Sequence, residues 1–335
     1  MNIQKNKIKN ILVVRRNNIG DMICAIPMLR TLRKEFPAAH ITVLADKSNA
    51  GIIKGASFID DLLVYEKEGS RANKYLGYYR TLEQKKRVFD LVITAKAGFS
   101  SLLAFISLAS GAGIRMGCVP DKWHPMQICY NLPVKNCRRW KSLHQVDGLL
   151  EFIKTIGIKN TVKDINIEIA QSSRDMVSDF FQKNAITGSD NIVVFNVSNN
   201  KPENTWPIER FRETAGILSD HYKITFLIAS ASSDKDGAVR LSEETGLRSF
   251  YFESPGVMDF AALAAASDLL ICGEGGAMHI GSGVNTPTVS LWSTLRPVKW
   301  TPRGEKQLVI KKGGHVTSIS AEDVLEVIKN NNLLK

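Results

Sequence analysis

The chain has 335 residues and a net charge of +11, and 44% of its residues are hydrophobic. That length is too great for one ordinary core and suits two domains. Five cysteines, an odd number without a C-x-x-C pair, argue against a disulfide framework, and the polar start Met1-Asn-Ile-Gln-Lys-Asn-Lys7 lacks the apolar core of a signal peptide. Both features lead us to expect a cytoplasmic protein.

Asn10-Ile-Leu-Val-Val14 reads as a buried strand running into a polar loop, Arg15-Arg-Asn-Asn-Ile-Gly-Asp21. Met22 to Phe36 follows with helical periodicity, Ile23, Ile26, Leu29, Leu32 and Phe36 forming one apolar face. Pro27 is tolerated in a first turn, so the regular helix starts near Ala25 or Ile26. Gly20 permits a tight turn, and Asp21 projects near the strand's carboxyl end, where open α/β sheets bind ligands. Asp21 therefore reads either as a helix cap or as a general base. Cys24, one turn further on, reads as a buried residue and not as a nucleophile.

Further strands are expected at Ile41–Leu44, Leu62–Val64 and Leu91–Thr94, separated by helices. Asp60 and Asp61 read as a solvated turn. Ser100 to Ser110 is very apolar but far shorter than the ~20 residues needed to span a bilayer. A core helix is the plain reading, with lipid contact as its alternative. Residues 1–170 form the expected first domain.

Polar residues Gln171 to Arg174 lead into a helix near Asp175–Asn184, and Asn191-Ile-Val-Val-Phe-Asn196 restarts the strand pattern. Ile224–Ile228, Ser249–Phe252, Leu269–Cys272, Thr288–Leu291 and Gln307–Ile310 continue it. Trp206-Pro207 opens a helix with Pro at its first position. Trp292 and Trp300 flank a loop, Ser293-Thr-Leu-Arg-Pro297, that on the sharper reading borders a nucleotide base; core packing is the plain reading for both Trp residues and outweighs stacking, and phosphate contact by Arg296 and Lys299 is not relied on. Asp234-Lys-Asp236 has the spacing of a metal motif but reads as a polar loop. The second domain spans 171–318, and a tail helix in 319–335, capped by Ser320, is expected to return to the first domain. Strands and helices alternate in both halves, which implies an α/β fold of two Rossmann-like parallel sheets.

The segment Asp268-Leu-Leu-Ile-Cys-Gly-Glu-Gly-Gly-Ala-Met-His279 carries the most chemistry. A short strand ends in Gly273, Glu274, Gly275 and Gly276, and a helix-like stretch follows. Glycines at such a turn let backbone amides approach a ligand, and a helix N-terminus favours phosphate. The sharp reading is a nucleotide-sugar pocket; the plain one is a tight strand–helix turn with a buried His279.

Three segments, Arg15 to Arg30, Asn204-Thr-Trp-Pro-Ile-Glu-Arg-Phe211, and Gly273 to Gly283 with Asn285 to Trp292, together resemble glycosyltransferase family 9, the ADP-heptose:lipopolysaccharide heptosyltransferases and their relatives. The resemblance implies the GT-B architecture, two Rossmann-like domains facing across a cleft. It makes Asp21 the general base, with Asn18 and Gly20 beside it on the acceptor side. Glu274 falls where the family has Asp contacting the donor sugar, and Gly275 where many members have Ser or Thr. Gly276, Ala277, Met278 and His279 would meet the diphosphate. A family Lys is replaced by Asn204, and Lys201 is its candidate substitute.

These departures have physical weight. Glu for Asp moves the carboxylate roughly 1.5 Å further from the backbone. A lost Lys removes a charge-assisted bond of about 1.5–3 kcal/mol unless something replaces it. The chain therefore reads as a divergent member, distinct from the enzymes of the first heptose transfer. The implied reaction is inverting, needs no metal and no cofactor, and uses a nucleoside-diphosphate sugar, ADP-linked by kinship, as substrate.

Two basic clusters, Lys74, Arg80, Lys85, Lys86 and Arg87, then Lys135, Arg138, Arg139, Lys141 and His144, read either as solvated faces or as a surface for an anionic glycolipid or saccharide acceptor. Arg138 and Arg139 are the acceptor candidates, and peripheral contact with the anionic inner face of the inner membrane is expected. No nucleic-acid module accompanies the charge. The rival from another class is a non-catalytic sugar-nucleotide or glycolipid binder. A dinucleotide oxidoreductase is a poorer one, because Arg15 to Gly20 lacks G-x-G-x-x-G.

Overall fold

The computed structural model describes residues 3–66, 73–84, 88–188, 190–293 and 297–335. It divides into two compact units, Met1–Glu168 with Val298–Trp300, and Ile169–Pro297 with Thr301–Lys335. In the first, strands and helices run β1 (Asn10–Arg15), α1 (Ile19–Ile23), α2 (Ile26–Glu35), β2 (His40–Asp46), α3 (Lys47–Ala50), β3 (Asp61–Tyr65), α4 (Asn73–Glu83), β4 (Leu91–Thr94), α5 (Ser101–Ala109), β5 (Ile114–Cys118), β6 (Leu132–Val134) and α6 (Gln145–Lys154). The second runs α7 (Gln171–Lys183), β7 (Asn191–Asn196), α8 (Ile208–Ser219), β8 (Ile224–Ala229), α9 (Lys235–Glu244), β9 (Ser249–Tyr251), α10 (Val257–Ala265), β10 (Leu269–Gly273), α11 (Gly276–Gly283) and β11 (Thr288–Trp292). It closes, after the short α12 (Pro297–Trp300), with β12 (Gln307–Lys311) and α13 (Ala321–Asn330).

Each unit holds a six-stranded parallel sheet, ordered β3-β2-β1-β4-β5-β6 and β12-β11-β10-β7-β8-β9. The central strands are buried along their length, as Ile11 to Val14 and Val193 to Phe195 show, because helices cover both faces. Leu12, Val14, Leu44 and Val92 anchor the first core; Phe195, Phe226, Ile271 and Val289 anchor the second. In each sheet the chain starts in the middle and later reverses direction. The reversal lies between β1 and β4, paired from Ile11↔Leu91, and between β7 and β10, paired from Val193↔Leu269. These are the topological switch points, where the loops on either side of adjacent strands part and leave a crevice.

The α/β reading stands, with several corrections in detail. The strands β5 and β6 were not expected. Arg115 and Gly117 interrupt the apolar run of β5, and Gly117 leaves the space filled by the Tyr130 ring. Pro133 sits in β6, which tolerates it as an edge strand. Helix α7 begins at Gln171, four residues early. Pro207 is the N-cap of α8, and Asp236 lies inside α9. Asp60 and Asp61 are not a free turn: Asp60 accepts from the Ile41 amide at 2.7 Å and pairs with Arg33, while Asp61 opens β3 beside His40. Arg33 and the Ile41 amide hold the Asp60 carboxyl below its usual range, although burial alone would raise it.

One correction is larger. Cys118 and Cys137 form a disulfide, while Cys24, Cys129 and Cys272 are buried thiols. The pairing follows from register: Cys118 lies opposite Val134 in the β5–β6 ladder, and Cys137 follows three residues later. Helix α13 is capped by Ser320 as expected, and its buried residues Val324 and Ile328 join the second core, against α8.

Candidate functional site

Around the first switch point the sequence-derived acid is held firmly. Asp21 is the third residue of α1 and closes a capping box with Asn18, whose amide lies 3.4 Å from Oδ2. Its Oδ1 accepts from Arg15 Nη2 at 2.7 Å. Arg15, only 2% exposed, also donates from Nε to the Asp21 carbonyl at 2.8 Å and from Nη1 to the Ala95 carbonyl at 2.5 Å. One guanidinium thus ties the loop after β1 to the loop after β4, and the planar fork of Arg is suited to that. Gly20 is buried beneath this turn.

The next residues build the wall of the crevice. Arg16 donates to the Tyr78 hydroxyl, which donates to Asp46, and its guanidinium lies 4.9 Å from the Tyr78 ring centroid. Burial, then the Asp46 carboxylate, pushes the Tyr78 phenol well above its ordinary value, so it stays a neutral donor. Asn17 takes a left-handed backbone (φ 86°), a conformation Asn adopts more readily than most residues. It is pinned by Asp46 and by the Ser48 hydroxyl. A small recess of about 30 Å³ results, lined by Arg15, Arg16, Asn17, Lys96 and Ser100. Lys96 titrates below an ordinary lysine, through desolvation first and the neighbouring Arg16 and Arg15 second, while Asp21 pulls the other way.

The second switch point is built mainly from backbone. Strand β10 ends at Gly273, and α11 starts three residues later. Asn199, from the loop after β7, donates through Nδ2 to the Glu274 carbonyl at 2.8 Å and to the Asn204 carbonyl at 3.3 Å. Its Oδ1 accepts from the Lys201 amide at 3.0 Å. A Cβ at Gly273 would lie 2.8 Å from the Asn204 carbonyl and 2.9 Å from Asn199 Nδ2, which explains this glycine. A Cβ at Gly275 would meet nothing nearer than 3.7 Å. The first amides of α11, at Gly276, Ala277 and Met278, are those a helix cannot satisfy internally.

The donor-side residues from sequence therefore separate into kinds. Glu274, Gly275, Gly276 and Ala277 are partly exposed on the turn, whereas the Met278 and His279 side chains are buried. Asn204 is only 1% exposed and its side-chain oxygen accepts from Ser293, so it clamps a loop. Lys201 is exposed three residues away. Trp206 and Trp292 are core residues, bonded to the Ile319 carbonyl and the Ser290 hydroxyl. In the second basic cluster Arg139 is exposed and stacks on Trp140, and His144 caps α6. Lys85, Lys86, Arg87 and Arg296, and the side chains of Arg138 and Lys141, lie outside the described residues. Sequence reading missed Arg15, Lys96 and Asn199 as site builders. Only Arg15 carried a signal, a charge closing an apolar strand.

Comparison with known proteins decides the family. The profile described as glycosyltransferase family 9 (heptosyltransferase) matches residues 79–328. The chain belongs to that family. It is a glycosyltransferase. It is 22% identical over 301 residues to the lipopolysaccharide core heptosyltransferase OpsX of Haemophilus influenzae, covering 88% of this chain and 82% of that one. The crystal structure of a glycosyl transferase family 9 protein from Veillonella parvula superposes with a TM-score of 0.84 at 22% identity, over 97% of each chain. E. coli heptosyltransferase WaaC with ADP-2-deoxy-2-fluoro heptose gives 0.75 at 17% identity, over 96% of this chain and 99% of that one. These likenesses show the fold, the GT-B class that the sequence motifs implied.

Proposed function

We propose that this family 9 member is an inverting, metal-independent transferase that moves a heptose from an ADP-linked donor to a lipopolysaccharide core or related anionic saccharide acceptor. The observation that carries the donor half is the Gly273–Gly276 turn, clamped by Asn199 at the second switch point and followed by the N-terminus of α11. Amides and helix dipole together suit a diphosphate, and the exposed Lys201 supplies the charge that Asn204 cannot. The ADP-heptose analogue in the WaaC structure supports the choice of nucleotide and sugar.

In the reaction Asp21 takes the proton of the acceptor hydroxyl. That oxygen bonds to the anomeric carbon, and the bond to the diphosphate breaks with its electron pair going to the phosphate oxygen. A single displacement inverts the anomeric centre. Arg15 orients the base, and stabilising the departing phosphate falls to the amides of α11. The recess lined by Arg16 and Lys96 suits an anionic group of the acceptor.

Calorimetric titration with ADP, UDP and GDP in EDTA tests the donor half. Selective ADP binding supports it; a preference for UDP or GDP, or binding only with added metal, overturns it. The anomeric configuration of the product, read by NMR, tests inversion.

A further inference from the structure

We propose that Tyr78 is a positioning residue for the transfer reaction: its hydroxyl, standing between Arg16 and Asp46, keeps the Arg16 guanidinium at the recess for the acceptor's anionic group. This role rests on the reading of that recess as an acceptor subsite. Tyr78 lies on α4 with no exposed surface, and its ring is fixed by packing. It stacks on Tyr65, the last residue of β3, with ring centroids 3.8 Å apart. A Cβ at the preceding Gly77 would lie 2.6 Å from the Tyr65 ring, so a glycine there is what lets α4 come this close.

The hydroxyl serves two charges. It accepts from Arg16 Nε and donates to Asp46. Arg16 Nε and Asp46 Oδ1 stand 3.5 Å apart, near enough to attract but held off from a direct bond. Asp46 is engaged elsewhere as well, accepting from the Asn17 amide at 3.1 Å and capping α3. Arg16 is placed differently: among the described residues no hydrogen bond takes up its Nη1 or Nη2, and its side chain lines the recess with Lys96. Without the hydroxyl, guanidinium and carboxylate would close on each other as a forked ion pair, the stronger arrangement for these two groups. Arg16 would then spend its charge on Asp46 and turn from the recess. A neutral phenol prevents this, because it is acceptor to one partner and donor to the other. Its burial keeps it protonated.

NMR signals of the arginine Nε–H groups in the full chain test it, with inorganic phosphate as the probe for the acceptor's anionic group and Arg16→Lys assigning the Arg16 signal. In the wild type that signal is expected to move with phosphate until it saturates. Tyr78→Phe keeps the ring and its stacking. Its Arg16 signal should shift before any phosphate is added, and phosphate should bind about tenfold more weakly. Adding Asp46→Asn to Tyr78→Phe removes the charge that captures Arg16 and should restore most of the affinity. A purely structural Tyr78 gives the opposite, a second substitution that does further damage and a melting temperature that falls at each step. Should Tyr78→Phe fail to fold, Asp46→Asn alone decides: with Tyr78 in place it should bind phosphate at least as tightly as the wild type. Weaker binding there would give the role to Asp46 and overturn the proposal. Wild-type affinity in folded Tyr78→Phe, or a double variant weaker than the single one, overturns it while leaving the subsite standing. A wild-type Arg16 signal indifferent to phosphate removes the subsite and this role together. Titration with ADP reports separately on the donor half of the transferase reading.

Discussion

The two switch points occupy the same place in two sheets of the same strand-order pattern, yet they are made from different materials. Around β1 and β4 the work falls to charged side chains: Arg15 gripping Asp21, Arg16 on Tyr78, and Lys96 at the recess. Around β7 and β10 it falls to glycines, amides and the carboxamide of Asn199. A side chain can change protonation and so can move a proton. A backbone amide cannot, but it needs no reorganisation to meet a phosphate. The shared topology thus supplies two crevices, and local sequence decides which one handles protons and which one handles leaving-group charge.

The sharpest way to break that contrast is at Asp21. Asp21→Asn keeps the shape and the cap but removes the base, so turnover should fall by roughly 10²–10⁴-fold. Nucleotide affinity, measured by calorimetry, should stay the same. Joint loss of both would mean that the first crevice also serves the donor. Arg15→Lys keeps the charge but not the fork that reaches Asp21 and Ala95 together. It should lower kcat about tenfold or more with little change in donor KM, because misplacing a reacting group costs rate before affinity. A donor KM that rose alone would show that Arg15 binds substrate and does not position the base.

Gly273 tests the other crevice through packing. A methyl group there must displace the Asn204 carbonyl or Asn199, both held by further bonds. Gly273→Ala should cost about 1–3 kcal/mol of stability, read by denaturant unfolding, and should weaken nucleotide binding with it. Full stability would mean that the loop after β7 gives way easily and is not a clamp.

What the sequence made legible follows the same division. The central strands, the α5 helix, Asp21 and the glycine turn were readable because apolar runs, periodicity and Gly spacing are local signals. The strands β5 and β6 were not: Arg115 and Gly117 break the run for contacts with Cys129 and Tyr130 that only the fold creates, and Pro133 is tolerated because β6 lies at a sheet edge. The Cys118–Cys137 pairing likewise depends on a strand register. Asn199 and Lys96 acquire their places only when two loops far apart in sequence meet at a switch point. Asn204 makes a related point: the motif marks the position, but only the structure shows its burial and the bond from Ser293.

Gly275 offers the finest test of the backbone-built crevice, and the smallest effect. Its φ of 165° is extended backbone open to any residue, and a Cβ there would touch Asn199 only at ordinary contact distances of 3.7 and 4.0 Å. Gly275→Ser should therefore leave stability within about 0.5 kcal/mol. The new hydroxyl stands at the N-cap of α11, beside the amides proposed for the diphosphate. One added neutral hydrogen bond is worth about 0.5–1.5 kcal/mol, so ADP should bind up to roughly tenfold more tightly. Tighter binding would show that the turn already holds phosphate and merely lacks one donor. Weaker binding with unchanged stability would show that the ligand occupies the space over Gly275 itself, and that close backbone approach is what this glycine provides.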